Sequence, residues 1–343
     1  MKIVFKLAIS ITLIIFSFNN HCKAHHGGEA YINGPGIAGP IITIPARTLP
    51  KKKYYISTGI NYINANEFTN AELINLAKRG EHVHDTRHFF TPSLSFGYGI
   101  TDDLFIGASV PYVFKYDLRT SFNNRAIELG NSIGIGDITF LSIYRFLKNE
   151  TNDLNAAIVS GIKIPSGVRR IKDDQRILFE ADDQPGTGSW DPMVGLAISK
   201  GFKDFALDAN GLYKFSTEGT QNTMVGDIAN FNFAISHRVK DKYLKKVFIE
   251  KVLNNNLKWD LIFEANGHWS EKPQFKFDLA LRHINIRDDN HGGLLIYLTT
   301  GIRLNINDSW ISNLAVSLPT IENLNGRQRA PNVRLIFAIT KIF

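Results

Sequence analysis

Ser236 and His237 stand side by side, and histidines gather at His25-His26 and at His82, His84 and His88. These are the places where the chain could concentrate nucleophilic or metal chemistry. Period-two alternation puts Ser236 and His237 inside a strand, where neighbouring side chains point to opposite faces, so they cannot form a hydroxyl–imidazole dyad. No other nucleophile–base constellation is found, and the chain reads as a protein that is not an enzyme. His25-His26 would open a chain processed after Ala24, setting an α-amine beside two imidazoles, a donor set that ligates copper or nickel. His82, His84 and His88 share one parity if their stretch is extended. Neither group includes a cysteine or a fixed geometry, and a solvated terminus and a polar loop account for them equally well. Neither metal nor cofactor is expected.

A larger set of charged residues falls at alternate positions, opposite apolar or aromatic ones: Lys115, Asp117, Asp137, Arg145, Lys163, Asp208, Lys214, Asp260, Glu264, His268, Arg303 and Arg334. Both signs are mixed, which offers no selectivity for one class of ion. Such groups can pair across a narrow lumen and hold it together, or line a passage.

Strands must position them. Trp259, Leu261, Phe263, Ala265, Gly267 and Trp269 share one strand face, while Lys258, Asp260, Glu264, Asn266, His268 and Ser270 share the other, with Ile262 the apolar exception. The same alternation runs from Phe205 to Phe215, from Leu104 to Phe114 and from Leu294 to Leu304. Most runs last about 11 to 14 residues, against the usual 5 to 6 of soluble proteins. Trp259 and Trp269 lie roughly 25 Å apart along the normal of a tilted strand, close to the height of a membrane barrel's apolar band. With Trp190, Trp310 and Phe343 they form the expected aromatic girdle.

Twelve strands are expected, near 53–64, 87–100, 103–117, 134–147, 154–164, 188–200, 204–216, 226–238, 258–270, 292–304, 309–320 and 331–343. Short connections at 101–102, 148–153, 201–203 and 305–308 alternate with long ones near 65–86, 118–133, 165–187 and 271–291. Short turns on the periplasmic side and long loops outside are the asymmetry of outer-membrane barrels. Two stretches depart from it. Residues 239–257 are long where a turn is expected and carry helical spacing (Tyr243, Leu244, Val247, Phe248, Lys251). Residues 275–286 alternate within an outer loop, as wall above the membrane or as two further strands, which would make fourteen. Asn70 to Lys78, with Leu73, Leu76 and Ala77 on one side, predicts a short helical lid.

The ends complete the picture. Lys2 and Lys6, an apolar stretch from Leu7 to Phe18 and the small-x-small site Cys22-Lys23-Ala24 predict a secretory signal over residues 1–24. That apolar stretch is too short for a membrane helix, which needs roughly 20 residues. The single cysteine, Cys22, lies within it, so no disulfide or thiolate site is expected in the mature chain. Removing Lys2, Lys6 and Lys23 takes the formal charge of +7 to about +4, which does not argue for nucleic acid. Residues 25–52 are rich in Gly and Pro and form either a hatch folded into the lumen or a periplasmic tail; the barrel occupies 53–343. The last strand alternates through Val333, Leu335, Phe337, Ile339 and Lys341 to a terminal Phe343, which resembles the signal read by the barrel assembly machinery.

Gly134-Ile135-Gly136-Asp137-Ile138 with Tyr144-Arg145-Phe146, then Pro165-Ser166-Gly167 and Gln184-Pro185-Gly186-Thr187-Gly188-Ser189-Trp190-Asp191, resemble the signatures of a family of outer-membrane proteins linked to the meta-pathway of phenol degradation. Tyr98 to Asp102, Val110-Pro111-Tyr112 and Gly34 to Leu49 are similar to it too, and Ser166 replaces a usual Thr. The resemblance implies a transmembrane barrel and, by association, uptake of hydrophobic or aromatic compounds. The expectation is therefore an all-β, antiparallel channel in the outer membrane of a Gram-negative bacterium, passing a small-molecule permeant. The alternative is a structural or adhesin-like barrel that binds partners through its outer loops.

Overall fold

The computed structural model describes residues 40–343 apart from 80–82, 123, 203–204, 240–256, 280–281, 288–289 and 307–308. The expected leader over 1–24, His25, His26, His82 and most of the helically spaced 239–257 connection lie outside the described residues.

Long alternating segments become strands whose backbone groups all need partners, and with lipid outside, only closure of the sheet supplies them. The chain runs β1 (Tyr54–Ala65), α1 (Asn70–Lys78), β2 (His88–Gly99), β3 (Leu104–Phe122), β4 (Arg125–Ile135), β5 (Thr139–Asn149), β6 (Leu154–Lys163), β7 (Asp191–Gly201), β8 (Phe205–Lys214) and β9 (Thr223–Met224). It continues through β10 (Ile228–Arg238), β11 (Leu257–Ser270), β12 (Gln274–Leu279), β13 (Arg282–Arg287), β14 (Gly293–Ile306), β15 (Trp310–Leu324) and β16 (Pro331–Ile342). Every neighbour is antiparallel, and β16 returns to β1, with Tyr62 opposite Leu335 and Ile56 opposite Lys341. The ring of twelve is β1, β2, β3, β5, β6, β7, β8, β10, β11, β14, β15 and β16.

Three details differ from the sequence reading. Residues 118–133, expected as a loop, are the upper part of β3 and β4, a hairpin that carries the wall above the rim. The strand expected over 134–147 is interrupted at residues 136–138, so that β3 pairs β5 below and β4 above. Pro111 explains the break: it has no N–H to give the ladder, and its carbonyl takes Gly136 N at 2.9 Å instead. Asp117, expected in the lumen, sits at a bulge with φ of 59° and is exposed. The alternating 275–286 stretch forms β12 and β13, which join β9 in a separate three-stranded sheet and add nothing to the ring.

The sidedness is inverted relative to a soluble sheet. Leu94, Phe96, Phe140, Tyr144, Leu196, Phe233, Phe263 and Leu314 are exposed on the outer face, while Asp208, Asp260, Glu264, Arg303 and Arg334 are buried within. The start of β1, the end of β16 and the short connections share one end of the barrel, and Phe343 stacks on Tyr54 there at 4.7 Å. At the other end, α1 begins with a capping box between Thr69 and Glu72, and buries Leu73 and Leu76 against Phe68 and Val83.

Candidate functional site: a plugged lumen beneath a pinned loop

Residues 40–50 run inside the ring. Pro40, Pro45 and Pro50 deny this segment a regular ladder, so wall side chains must satisfy its buried N–H groups. The Glu264 carboxylate accepts from Ile41 N at 2.5 Å, Ile42 N at 3.1 Å, Thr43 N at 3.0 Å and Thr43 Oγ1 at 3.0 Å. Asn210 Oδ1 takes Ile44 N at 2.8 Å, and Ser199 Oγ takes Ala46 N at 2.8 Å. Apolar contacts do the rest. Ile41 and Ile42 pack on Ile262, Ala315 and Ile336. Ile44, Ala46 and Leu49 join Tyr55, Phe105, Ile143, Val159, Met193 and Leu212.

Above this floor lies a cavity of about 230 Å³. Ile42 and Ile44 form its base and Val113, Met193, Leu212 and Ile228 an apolar wall, while about half of the lining is polar or charged, Lys115, Asp182, Lys214, Asn230, His268 and Glu271 among it. Gln184, Pro185 and Thr187 of the 164–190 loop cover it.

That loop is anchored at one knot. Asp137 Oδ1 accepts Gly167 N at 2.9 Å, and Oδ2 accepts Thr187 N and Thr187 Oγ1, each at 2.8 Å. Lys163 Nζ lies 3.0 Å from Asp137 and 2.8 Å from Asp191, and donates to Thr187 Oγ1 and Ser189 Oγ. Gly167 and Gly186 meet so closely that a Cβ on either would stand 2.7 Å from the other's Cα. The tip is tied down separately: Gln184 bridges Ile171 and Phe179, His84 Nδ1 meets Asp183 at 2.7 Å, and His291 Nε2 meets Asp182 at 2.9 Å.

The other expected site residues fall as follows. Asp260 is enclosed by Arg303, at 3.0 Å, by Arg238 and by Asn305. Asp208 takes Ser199 Oγ at 2.5 Å with Arg47 at 3.7 Å, and Arg334 donates to Asn61 at 2.8 Å. His268 faces Asn230 at 2.9 Å. Arg145 spends its donors on Asp103 and the Asp102 carbonyl at the turn between β2 and β3. Trp190, Trp269, Trp310 and Phe343 are exposed on the outer face and Trp259 is half-buried; the Lys341 ammonium stands 5.0 Å from the Trp310 ring. Ser236 is buried and His237 exposed, on opposite faces. Ser199 and Asn210, which hold the plug, were not among the expected site residues; the signal for them is a polar side chain beside an apolar one on the inner face.

The knot is built from the GxGD, PSG and PGTGSWD stretches, distant in sequence and joined in space. Residues 70–293 match the family model described as "Putative MetA-pathway of phenol degradation". The chain belongs to this family. The stretches that resemble its signatures are thus the ones that fasten the 164–190 loop over the lumen. Among curated proteins, none matches the chain. Of solved structures, the COG4313 outer membrane channel from Pseudomonas putida F1 is similar at 12% identity and a TM-score of 0.51, covering 87% of this chain and 98% of that one. The toluene transporter TbuX of Ralstonia pickettii has 11% identity and a TM-score of 0.40, covering 86% of this chain and 90% of its own. The fold is that of an outer-membrane β-barrel, as the outward apolar face requires.

One prediction concerns the loop tip. Burial alone would depress the His84 pKa, but the hydrogen bond to Asp183 and the charges of Asp183, Glu180 and Asp182 overcome it and hold it at about 9. Because this lies above the unfolded value near 6.5, the clasp contributes fully below pH 6.5 and fades as pH rises through 9, in all on the order of 3 kcal/mol. The gap in denaturation midpoint between the parent and His84→Gln is expected to be widest near pH 6 and to close above pH 9. A gap that does not change with pH would refute the clasp.

Proposed function

We propose that the chain is a passive outer-membrane channel for small aromatic compounds, closed at rest by residues 40–50. The observation that carries this reading is the cavity between Ile42 and Ile44 below and Pro185 above, where an apolar wall of Val113, Met193, Leu212 and Ile228 faces a polar half that includes Lys214, Asn230 and His268. An apolar cavity of about 150 Å³ suffices for benzene, so about 230 Å³ accommodates one substituted ring. The family's link to phenol degradation supports the same substrate class. Lys163 is held between Asp137 and Asp191, and Asp260 between Arg303 and Arg238, so the wall charges are engaged with one another and the two clusters keep residual charges of opposite sign, which favours no charged permeant. The terminal Phe343 serves the assembly machinery, and the outward tryptophans anchor the barrel at the lipid interfaces.

Uptake of phenol and of glucose into proteoliposomes tests the proposal. Phenol entry above the protein-free rate, with glucose excluded, is the expected result. A barrel that passes neither, and passes neither after the plug is removed, would transfer the function to its outer loops.

A further inference from the structure

The 164–190 loop has a second face that the channel does not use. Val168 N donates to Ile135 O at 2.8 Å and Asp174 N to Leu129 O at 3.0 Å, which lays residues 168–174 along the free edge of β4, outside the lumen. A tight hairpin follows: Asp173 N bonds Ile177 O at 2.8 Å, Lys172 pairs with Leu178, and Asp173 Oδ1 accepts Gln175 N and Ile177 N. Arg169, Arg170, Lys172 and Arg176 are exposed on this strap, and none forms an ion pair among the described residues. Val168, Ile177 and Leu178 are exposed beside them, with Ile177 at 61%. Ile135, opposite Val168, belongs to the outward apolar face together with Tyr112, and Trp190 is exposed at the foot of β7. The strap therefore extends the wall above the lipid-facing surface and carries four exposed cations beside three apolar side chains; Arg170 and Lys172 share the parity of Val168, while Arg169, on the alternate parity, lies against Gly188. Asp173 and Asp174 are the carboxylates within it, and Asp173 is occupied by the turn.

We propose that residues 168–178 are a docking strap for the phosphate-bearing glycolipid of the outer leaflet, lipopolysaccharide, with the cations on its phosphates and the apolar side chains against its acyl chains. Charge complementarity selects this occupant: clustered Lys and Arg beside a membrane gain from an anionic headgroup surface, while a neutral lipid gives them nothing. The inference rests on the outer-membrane reading, with the loop end of the barrel outward.

The full-length barrel, purified in non-ionic detergent, is titrated with lipopolysaccharide and with the same lipid stripped of its phosphates. Tight, salt-sensitive binding of the first and weak binding of the second are expected. The variant R169Q/R170Q/K172Q/R176Q is expected to lose affinity about tenfold or more, whereas K148Q/K200Q, at the opposite end, binds as the parent does. Heat-modifiable mobility on gels reports folding, and if the fourfold variant does not fold, R170Q/R176Q carries the test. Equal binding by parent and variant, or no preference for phosphates, overturns the strap and leaves the channel reading intact. Recovery of the protein outside the outer-membrane fraction would instead overturn the reading beneath it.

Discussion

Barrels lacking residues 40–50 are expected to admit phenol into proteoliposomes roughly one to two orders of magnitude faster than the parent, with the ring still closed. The expectation follows from where the segment's interactions go. Its N–H groups are satisfied by Glu264, Asn210 and Ser199, and its apolar side chains rest on Ile262, Ile336, Phe105 and Leu212. No ring strand depends on it for a ladder bond, so its loss wets the lumen without opening the wall. Glu264→Ala is the sharper version. It strands three buried N–H groups and the Thr43 hydroxyl, each worth about 1–3 kcal/mol when left without an acceptor. Even about 3 kcal/mol in total shifts a closed–open equilibrium about a hundredfold. Glu264→Gln keeps one oxygen acceptor and turns an amide donor toward the same N–H groups, so it should fall between parent and alanine. Equal phenol entry in parent and deletion would show that passage is limited elsewhere.

Asp137→Ala should release the 164–190 loop. The carboxylate holds Gly167, Thr187 and Lys163 together, and its loss leaves Lys163 with Asp191 alone in a buried site. Lys163 keeps a countercharge, so the cost lies in the stranded donors Gly167 N, Thr187 N and Thr187 Oγ1, at about 1–3 kcal/mol for each left buried without an acceptor. Trypsin provides the readout, since Arg169, Arg170, Lys172 and Arg176 lie on the loop and are exposed. Cleavage there is expected to rise about a hundredfold while the barrel stays folded, because proteolysis tracks the population of the open form. Asp137→Asn retains an acceptor for Gly167 N and loses the charge opposite Lys163, and so should give a smaller increase. An unchanged tryptic pattern in the alanine variant would mean that the clasps at Asp182 and Asp183 hold the loop unaided.

The wall was legible because a barrel strand repeats one simple rule, and each of its exceptions had a physical source. Trp259 to Trp269 alternates with Ile262 as its one exception and lies in β11 as expected, and Asn70–Lys78 is helical over the range its spacing indicates. The one misplaced stretch of wall is at Pro111, where a missing N–H splits the next strand in two; β12 and β13, whose alternation left wall above the membrane and two further strands both open, pair with each other, and β12 with β9, so that the ring keeps the expected twelve. Function was harder to read. Glu264 is legible from its parity as a lumen-facing carboxylate, but not its partners: it accepts backbone donors from a segment more than two hundred residues away. A hint was present in Ile262, the apolar interruption on an otherwise polar face, which packs against Ile41 and Ile42. The GxGD and PGTGSWD stretches identified the family, but only folding places Asp137 against Thr187.

Residues 40–50 are joined to β1 by only Lys51, Lys52 and Lys53. The stopper is consequently on a leash: once displaced it stays at an effective concentration in the millimolar range for its own seat. Its return is first order and indifferent to how densely barrels crowd the membrane. A free peptide of the same sequence, offered at micromolar concentration to the truncated barrel, would be a poor substitute.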